Sequence, residues 1–401
     1  MHLASPSVLG LGALLLARAV FGAETGASHH GGHGAPVPGQ AGLAELGATA
    51  AFDSRGTLWA AHQTAAGVSV SRSGDLGKSW SAPVAVSREI EPTDAGADAR
   101  PKIALGPQGE IYVTWTRPLA KPYTGEIRFT RSLDGGATFD PPRTVHRDRQ
   151  VITHRFDALT VDALGRVVVA WVDKRDLVAA PAAGPAYRGA AIYFAISDDR
   201  GAAFRADTKL ADHSCECCRI ALVPRPDGSV VALWRHIFDP NIRDHAIGVI
   251  TADGRAGGMQ RASFDDWAID ACPHQGPALA IDDRERRHAV WVTGSPKAPG
   301  VFYGRPIDGR IEGLRRIGNG AAERPDVAVL GRQVAVVWKQ FDGTRSQLQG
   351  LLSPDGGDTW RELALAATDG ASDHPRLLTR DGRFHVFWNT RLQPLSVTSF
   401  P

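Results

Sequence analysis

Four cysteines are the most concentrated source of chemistry in this sequence, and all of them fall in two short stretches. His213-Ser214-Cys215-Glu216-Cys217-Cys218-Arg219 holds three, and Cys272-Pro273-His274 holds the fourth. Thiols grouped in this way have two outlets. In an oxidising compartment they pair as disulfides. As thiolates, alone or with the imidazole of His213 or His274, they hold a soft metal such as copper or zinc. The spacing is not that of a zinc ribbon, and both outlets are open at this point. The candidate metal-ligating set is Cys215, Cys217, Cys218, Cys272 and His274.

A second concentration is cationic. Arg100, His154, Arg155, Arg219, Arg235, Arg243, Arg324 and His374 all stand at the edges of apolar runs, and Arg117, Lys174, Arg175 and His236 occupy similar positions. Guanidinium forks match carboxylate, phosphate and sulfate oxygens. The first eight are therefore candidate ligand-binding residues for a small anionic ligand or a glycan. The formal net charge of the whole chain is only +2, which excludes a general basic field and gives no indication of nucleic acid.

The elements that must position these groups repeat along the chain. A run ending near Ala or Leu leads through a turn and a Gly into alternating apolar residues and a Trp. The copies end at Trp115, Trp171, Trp234, Trp291, Trp338 and Trp388, and one at the front has His62 in the Trp position. Successive copies are 47 to 63 residues apart, the length of one four-stranded propeller blade. Val167-Val168-Val169-Ala170-Trp171 and Val334-Ala335-Val336-Val337-Trp338 are β-type runs, and no helix-period stretch competes with them. With Gly 44 and Pro 26 supplying tight turns, the expected fold is all-β: a β-propeller of seven blades, with six as the alternative. In such a fold the segments leading into the innermost strands and the loops leaving the second strands share one face. The four thiols and the arginines would then gather at the channel mouth.

After the Trp position most copies carry a second motif. Ser73-Gly74-Asp75-Leu76-Gly77-Lys78-Ser79-Trp80, Ser132-Leu133-Asp134-Gly135-Gly136-Ala137-Thr138-Phe139 and Ser353-Pro354-Asp355-Gly356-Gly357-Asp358-Thr359-Trp360 are close copies. Ser197-Asp198-Asp199-Arg200-Gly201-Ala202-Ala203-Phe204 lacks the hydroxyl residue, and Asp253-Gly254 and Asp308-Gly309 read as decayed copies. The motif resembles the Asp box, or BNR repeat, of sialidase-like propellers. That resemblance implies structural carboxylates on the face away from the ligand site. It also raises a sialidase-like exo-glycoside hydrolase as the alternative function. Arg100, Arg219 and Arg324 would supply the arginine triad and Tyr303 the nucleophile, although no Glu partner can be assigned to that tyrosine.

Val8 to Leu16 is a short apolar run followed by small residues up to Ala23, so residues 1–23 read as a signal peptide. Residues 24–46, with His29-His30-Gly31-Gly32-His33, read as a flexible leader, and 47–401 as a single propeller. The expected product is exported, periplasmic or secreted, free of membrane after cleavage, and monomeric. The seventh blade has room for one strand after Trp388, so its closing strand is expected from the leader.

Overall fold

The computed structural model describes residues 46–181 and 186–400. Among these residues the chain forms seven antiparallel sheets in sequence order, six of four strands and a last one of three. The fold is a seven-bladed β-propeller. The innermost strands are Ala48–Phe52, Lys102–Leu105, His154–Val161, Ala221–Pro224, Ala278–Ile281, Ala322–Leu330 and Arg376–Arg380. Each touches the innermost strands of both neighbouring blades, and the seventh meets the first to close the ring. The fourth strand expected for blade 7 falls on the leader, outside the described residues, as does the signal peptide. The first described residues are nevertheless tied to blade 7: Asn389 Nδ2 donates to Leu46 O (2.9 Å), and Ala48 N donates to Asp373 Oδ2 (3.0 Å).

The repeated Trp residues occupy the second strand of six blades. Trp115, Trp171, Trp234, Trp291 and Trp388 are among the largest fully buried side chains, and Trp338 is buried as well. Alternation along each second strand directs one set of apolar side chains to the blade before and the other to the blade after. Ala335 and Val337 thus join Trp388 and Phe384 of blade 7, whereas Val334 and Val336 join Tyr303 and Val290 of blade 5. The core is therefore seven sheet-on-sheet interfaces arranged around the ring.

The four Ser-x-Asp turns have one geometry. In the first, Ser79 N and Oγ donate to Asp75 (2.9 and 2.6 Å), while Gly77 N donates to Ser73 Oγ (2.8 Å). Thr138 with Asp134 and Thr359 with Asp355 repeat it, and in the Asp199 turn only the Ala203 N–H remains. The hydroxyl and N–H donors of Ser79 and Thr138 hold the Asp75 and Asp134 carboxyls down to about 2. The glycine at the fifth position has positive φ in all four turns. It also faces the preceding blade: a Cβ on Gly136 would lie 2.7 Å from the Trp59 ring, on Gly201 2.5 Å from Phe129, and on Gly357 2.1 Å from the Tyr303 hydroxyl. Gly77 meets Val397 of blade 7 in the same way. Asp253-Gly254 keeps a reduced version, with Thr251 Oγ1 donating to Asp253 and Gly254 close to Ile196. Asp308-Gly309 is a plain two-residue hairpin turn with both residues at positive φ.

Two outcomes follow for these turns. Gly357→Ala should destabilise by roughly 2–4 kcal/mol through left-handed strain and overlap with Tyr303, whereas Gly74→Ala, with nothing within 4 Å, should be silent in a denaturation curve. Because the Asp75 and Asp134 carboxyls are depressed on folding, their contribution is complete above the ordinary carboxylate range and disappears as pH falls through about 2. The Tm difference between wild type and Asp134→Asn should accordingly shrink from pH 6 towards pH 2.

Candidate functional site

The cysteines lie on two successive blade-to-blade connectors. One runs from the outermost strand of blade 3, Thr208–Ser214, to the innermost strand of blade 4; the other runs from Ala256–Arg261 to the innermost strand of blade 5. Cys215 N donates to Arg235 O (2.9 Å) and Ile237 N to His213 O (2.7 Å), so the first connector is pinned to the exit of blade 4. His213 and His274 flank the two cysteine segments with φ of 54° and 51°. Non-glycine residues there carry backbone strain, which proteins concentrate at functional sites.

All four thiols meet. The Sγ atoms of Cys215 and Cys217 are 3.8 Å apart, those of Cys217 and Cys218 3.9 Å, and those of Cys218 and Cys215 4.0 Å. Cys215, Cys217 and Cys272 likewise lie within 4.8 Å of one another. These separations are about twice an S–S bond, and all four cysteines are free thiols, so the disulfide alternative is not realised here. The cluster sits in apolar surroundings that include Phe156, Ile220 and Ala99. Arg243 Nη1 donates to Cys215 Sγ at 3.4 Å. Donation from the three other thiols, with Arg243 adding its charge, brings the Cys215 thiol well below its ordinary value. Donation to Cys215 instead pushes the Cys272 thiol up to about 12. Cys215 is thus the member of the cluster whose charged form its neighbours favour most.

A cleft of about 400 Å³ opens over the cluster. Cys217 and Cys272 form part of its lining, with Arg155, Lys174, Arg243 and His274 around them. His274 lines the cleft beside Cys217 and Cys272; its ring approaches Phe156, and its carbonyl accepts from the Arg324 guanidinium. His213 Nδ1 accepts from Arg188 N (3.3 Å).

The arginines expected to form an anion site converge on the same face, but the protein itself supplies partners to each. Arg100 donates to Asp373 Oδ2 (2.9 Å) and Ala48 O (3.2 Å). Burial holds the Asp373 carboxyl above its ordinary value and takes Arg100 down to about 10, so burial outweighs attraction within this pair. Arg155 pairs with Asp94, and Arg235 donates to the carbonyls of Arg243, Gln275 and Val292. Arg219 reaches Pro277 O (3.0 Å), Pro325 O (2.7 Å) and Asp98 Oδ1 (3.2 Å). Arg243 also binds Ile269 O, and Arg324 lies 3.6 Å from Glu323. His154 is fully buried, stacked on His146 at 3.8 Å, and hydrogen-bonded to Gly125 O. His374 lies 3.6 Å from Asp98; burial, with Arg100 and Arg324 nearby, keeps it neutral. Most of this cationic set therefore staples blades together, and Arg155 and Arg243 are the two that also face the cleft.

Sequence reasoning missed the carboxylates that balance them. Asp98 and Asp373 stand in the same lead-in segments as Arg100 and His374, where only the cations were noticed. Tyr303, the sialidase-type nucleophile expected from the resemblance, lies elsewhere. It is fully buried beneath the Gly357 turn, with its hydroxyl 2.7 Å from His288 Nδ1.

No protein-family model matches the chain, and no curated protein matches it. Solved structures do. A polysaccharide lyase of family PL25, an ulvan lyase, superposes with a TM-score of 0.55 at 10% identity, over 89% of this chain and 92% of its own. A protein of unknown function from Dyadobacter fermentans gives 0.51 at 14% identity, over 75% and 93%. The α-L-arabinanase of Penicillium chrysogenum, complexed with arabinobiose, gives 0.50 at 14% identity, over 75% and 92%. The likeness is one of fold.

Asp98 is the most consequential of the missed residues. Its fully buried carboxylate accepts from Arg219 N (3.1 Å), Gly276 N (2.9 Å) and the largely buried Arg219 guanidinium (3.2 Å). Asp98→Ala strands these donors and should cost about 3–5 kcal/mol. Chemical denaturation read by the buried tryptophans measures it.

Proposed function

We propose that this chain is an exported Asp-box propeller whose channel-mouth face carries a soft-metal thiolate site for copper or zinc, beneath a cleft that admits a small anionic ligand. The observation that carries this reading is the convergence of four sulfurs from two separate connectors. Cysteines 54 positions apart in the chain, Cys218 and Cys272, reach one cluster, and no cysteine occurs elsewhere. The donor set suits the metals: thiolate is the ligand type that selects copper(I) and zinc. Cys215, Cys217, Cys218 and Cys272 would hold the ion, which would supply a Lewis-acidic or electron-transferring centre at the floor of the cleft. Arg243 acts on the cluster from outside, donating to Cys215 Sγ and offsetting the negative charge of the thiolates. Arg155 and Lys174 line the cleft above, where an anion would meet them, although Lys174 is paired with Glu216.

The sialidase-like alternative needs three arginines able to receive a substrate carboxylate. Arg100, Arg219 and Arg324 instead bind carbonyls and carboxylates of the protein. A fluorogenic sialic acid conjugate tests that alternative, and no release is expected.

Metal analysis of chain purified under reducing conditions, together with thiol titration after denaturation, tests the metal reading. Bound copper or zinc with four titratable thiols is the expected result; Cys272→Ser should lower occupancy, and Arg243→Ala should weaken retention by about tenfold. Retention should also fall as pH falls, because protons compete for the sulfurs. Absence of both metal and titratable thiols would make the cluster a disulfide clamp.

A further inference from the structure

The four sulfurs form two triangles that share an edge. Cys215, Cys217 and Cys218 make the first, nearly equilateral with sides of 3.8, 3.9 and 4.0 Å. An ion at its centre would lie about 2.3 Å from every sulfur, the length of a metal–thiolate bond. Cys215, Cys217 and Cys272 make the second, with all separations within 4.8 Å. Cys218 and Cys272 each engage the Cys215 and Cys217 thiols, so the Cys215–Cys217 pair is common to both. The triangles differ in setting. Cys218 is buried behind the shared pair, whereas Cys272 is half-buried and lines the cleft in front.

Cys215 and Cys218 keep the two-residue separation of paired zinc cysteines, but Cys217 between them puts three sulfurs into four positions, and these three close a triangle without the fourth. The three residues whose ligand atoms lie within 4.8 Å of one another are all cysteines. An all-thiolate set arranged as triangles favours a soft ion of low coordination number.

We propose, as a refinement that rests on the metal reading above, that the cluster holds two copper(I) ions, one in each triangle, bridged by Cys215 and Cys217. Four thiolates and two copper(I) ions carry a net charge of −2. Two guanidinium groups stand close enough to balance it: Arg243 contacts Cys215, and Arg235 acts on Cys218. The rear ion is sealed in apolar packing, and the front ion faces the cleft. The first is therefore retained and the second exchanges with ligands that enter from solvent.

The test is an anaerobic copper(I) titration of the reduced, metal-free chain against a colorimetric copper(I) chelator, followed by chelator-driven release. Two equivalents per chain are expected, leaving in a fast and a slow phase of equal amplitude. Cys272→Ser should keep only the slow phase, Cys218→Ser only the fast one, and Cys215→Ser neither, each variant being checked for a native thermal transition. If a variant does not fold, X-ray absorption of the copper-loaded wild type decides: all-sulfur coordination with a short copper–copper vector is expected. One equivalent in the wild type, or all-sulfur coordination without a copper–copper vector, overturns the two-ion site and leaves a single-metal site standing. No copper or zinc binding at all overturns both.

Discussion

The buried Asp98 carboxylate is the interaction on which the face of this propeller depends. It belongs to the lead-in segment of blade 2, yet it binds Arg219 and the N–H of Gly276, which open the innermost strands of blades 4 and 5. Arg219 directly follows Cys218, and Gly276 stands four positions after Cys272. One acceptor thus sets the position of both cysteine segments, and the sulfur separations follow from it. A carboxylate with no solvent contact is tolerable only because several donors meet it; here backbone and guanidinium donors do so together, and the nearby charges of Arg219 and Arg324 overcome the burial that would otherwise protonate it.

The site is a compromise between packing and chemistry. Three of the four thiols are buried among apolar side chains, where a free cysteine behaves as a small hydrophobe. The cluster would be unremarkable as core if its sulfurs did not face one another and if Arg243 did not reach into it. Arg243, which also holds Ile269 O, puts a guanidinium charge directly against Cys215 Sγ.

Much of this was legible in the sequence because it is repetitive. Six tryptophans and four Ser-x-Asp turns recur at blade spacing, so the propeller, its inner strands and the convergence of Cys218 with Cys272 could be read from register, with seven blades preferred over six. What could not be read was pairing. The lead-in segments showed an excess of arginine that suggested an anion site, but a charge excess is a statement about one sign. Asp94, Asp98 and Asp373 lie in the same segments, and the innermost strands offer carbonyls such as Pro277 O and Pro325 O that no residue type announces. Tyr303 shows the same limit: its residue type was suggestive, while its burial under Gly357 depends on the adjacent blade. The disulfide alternative is decided by sulfur separations, which spacing along the chain does not contain.

The turn glycines have a directional consequence. Each presses its bare backbone on the blade before it, at the seams 7–1, 1–2, 2–3, 3–4 and 5–6. The seam between blades 4 and 5 has no such contact: Gly309 has nothing within 4 Å, and the tie on that face is the half-exposed Arg225–Glu285 pair. An exposed ion pair of this kind contributes little. The thiol cluster spans this same seam at the opposite face, so an ion bound there would add a tie between blades 4 and 5. Occupancy of the proposed site and the cohesion of this seam would then be thermodynamically linked.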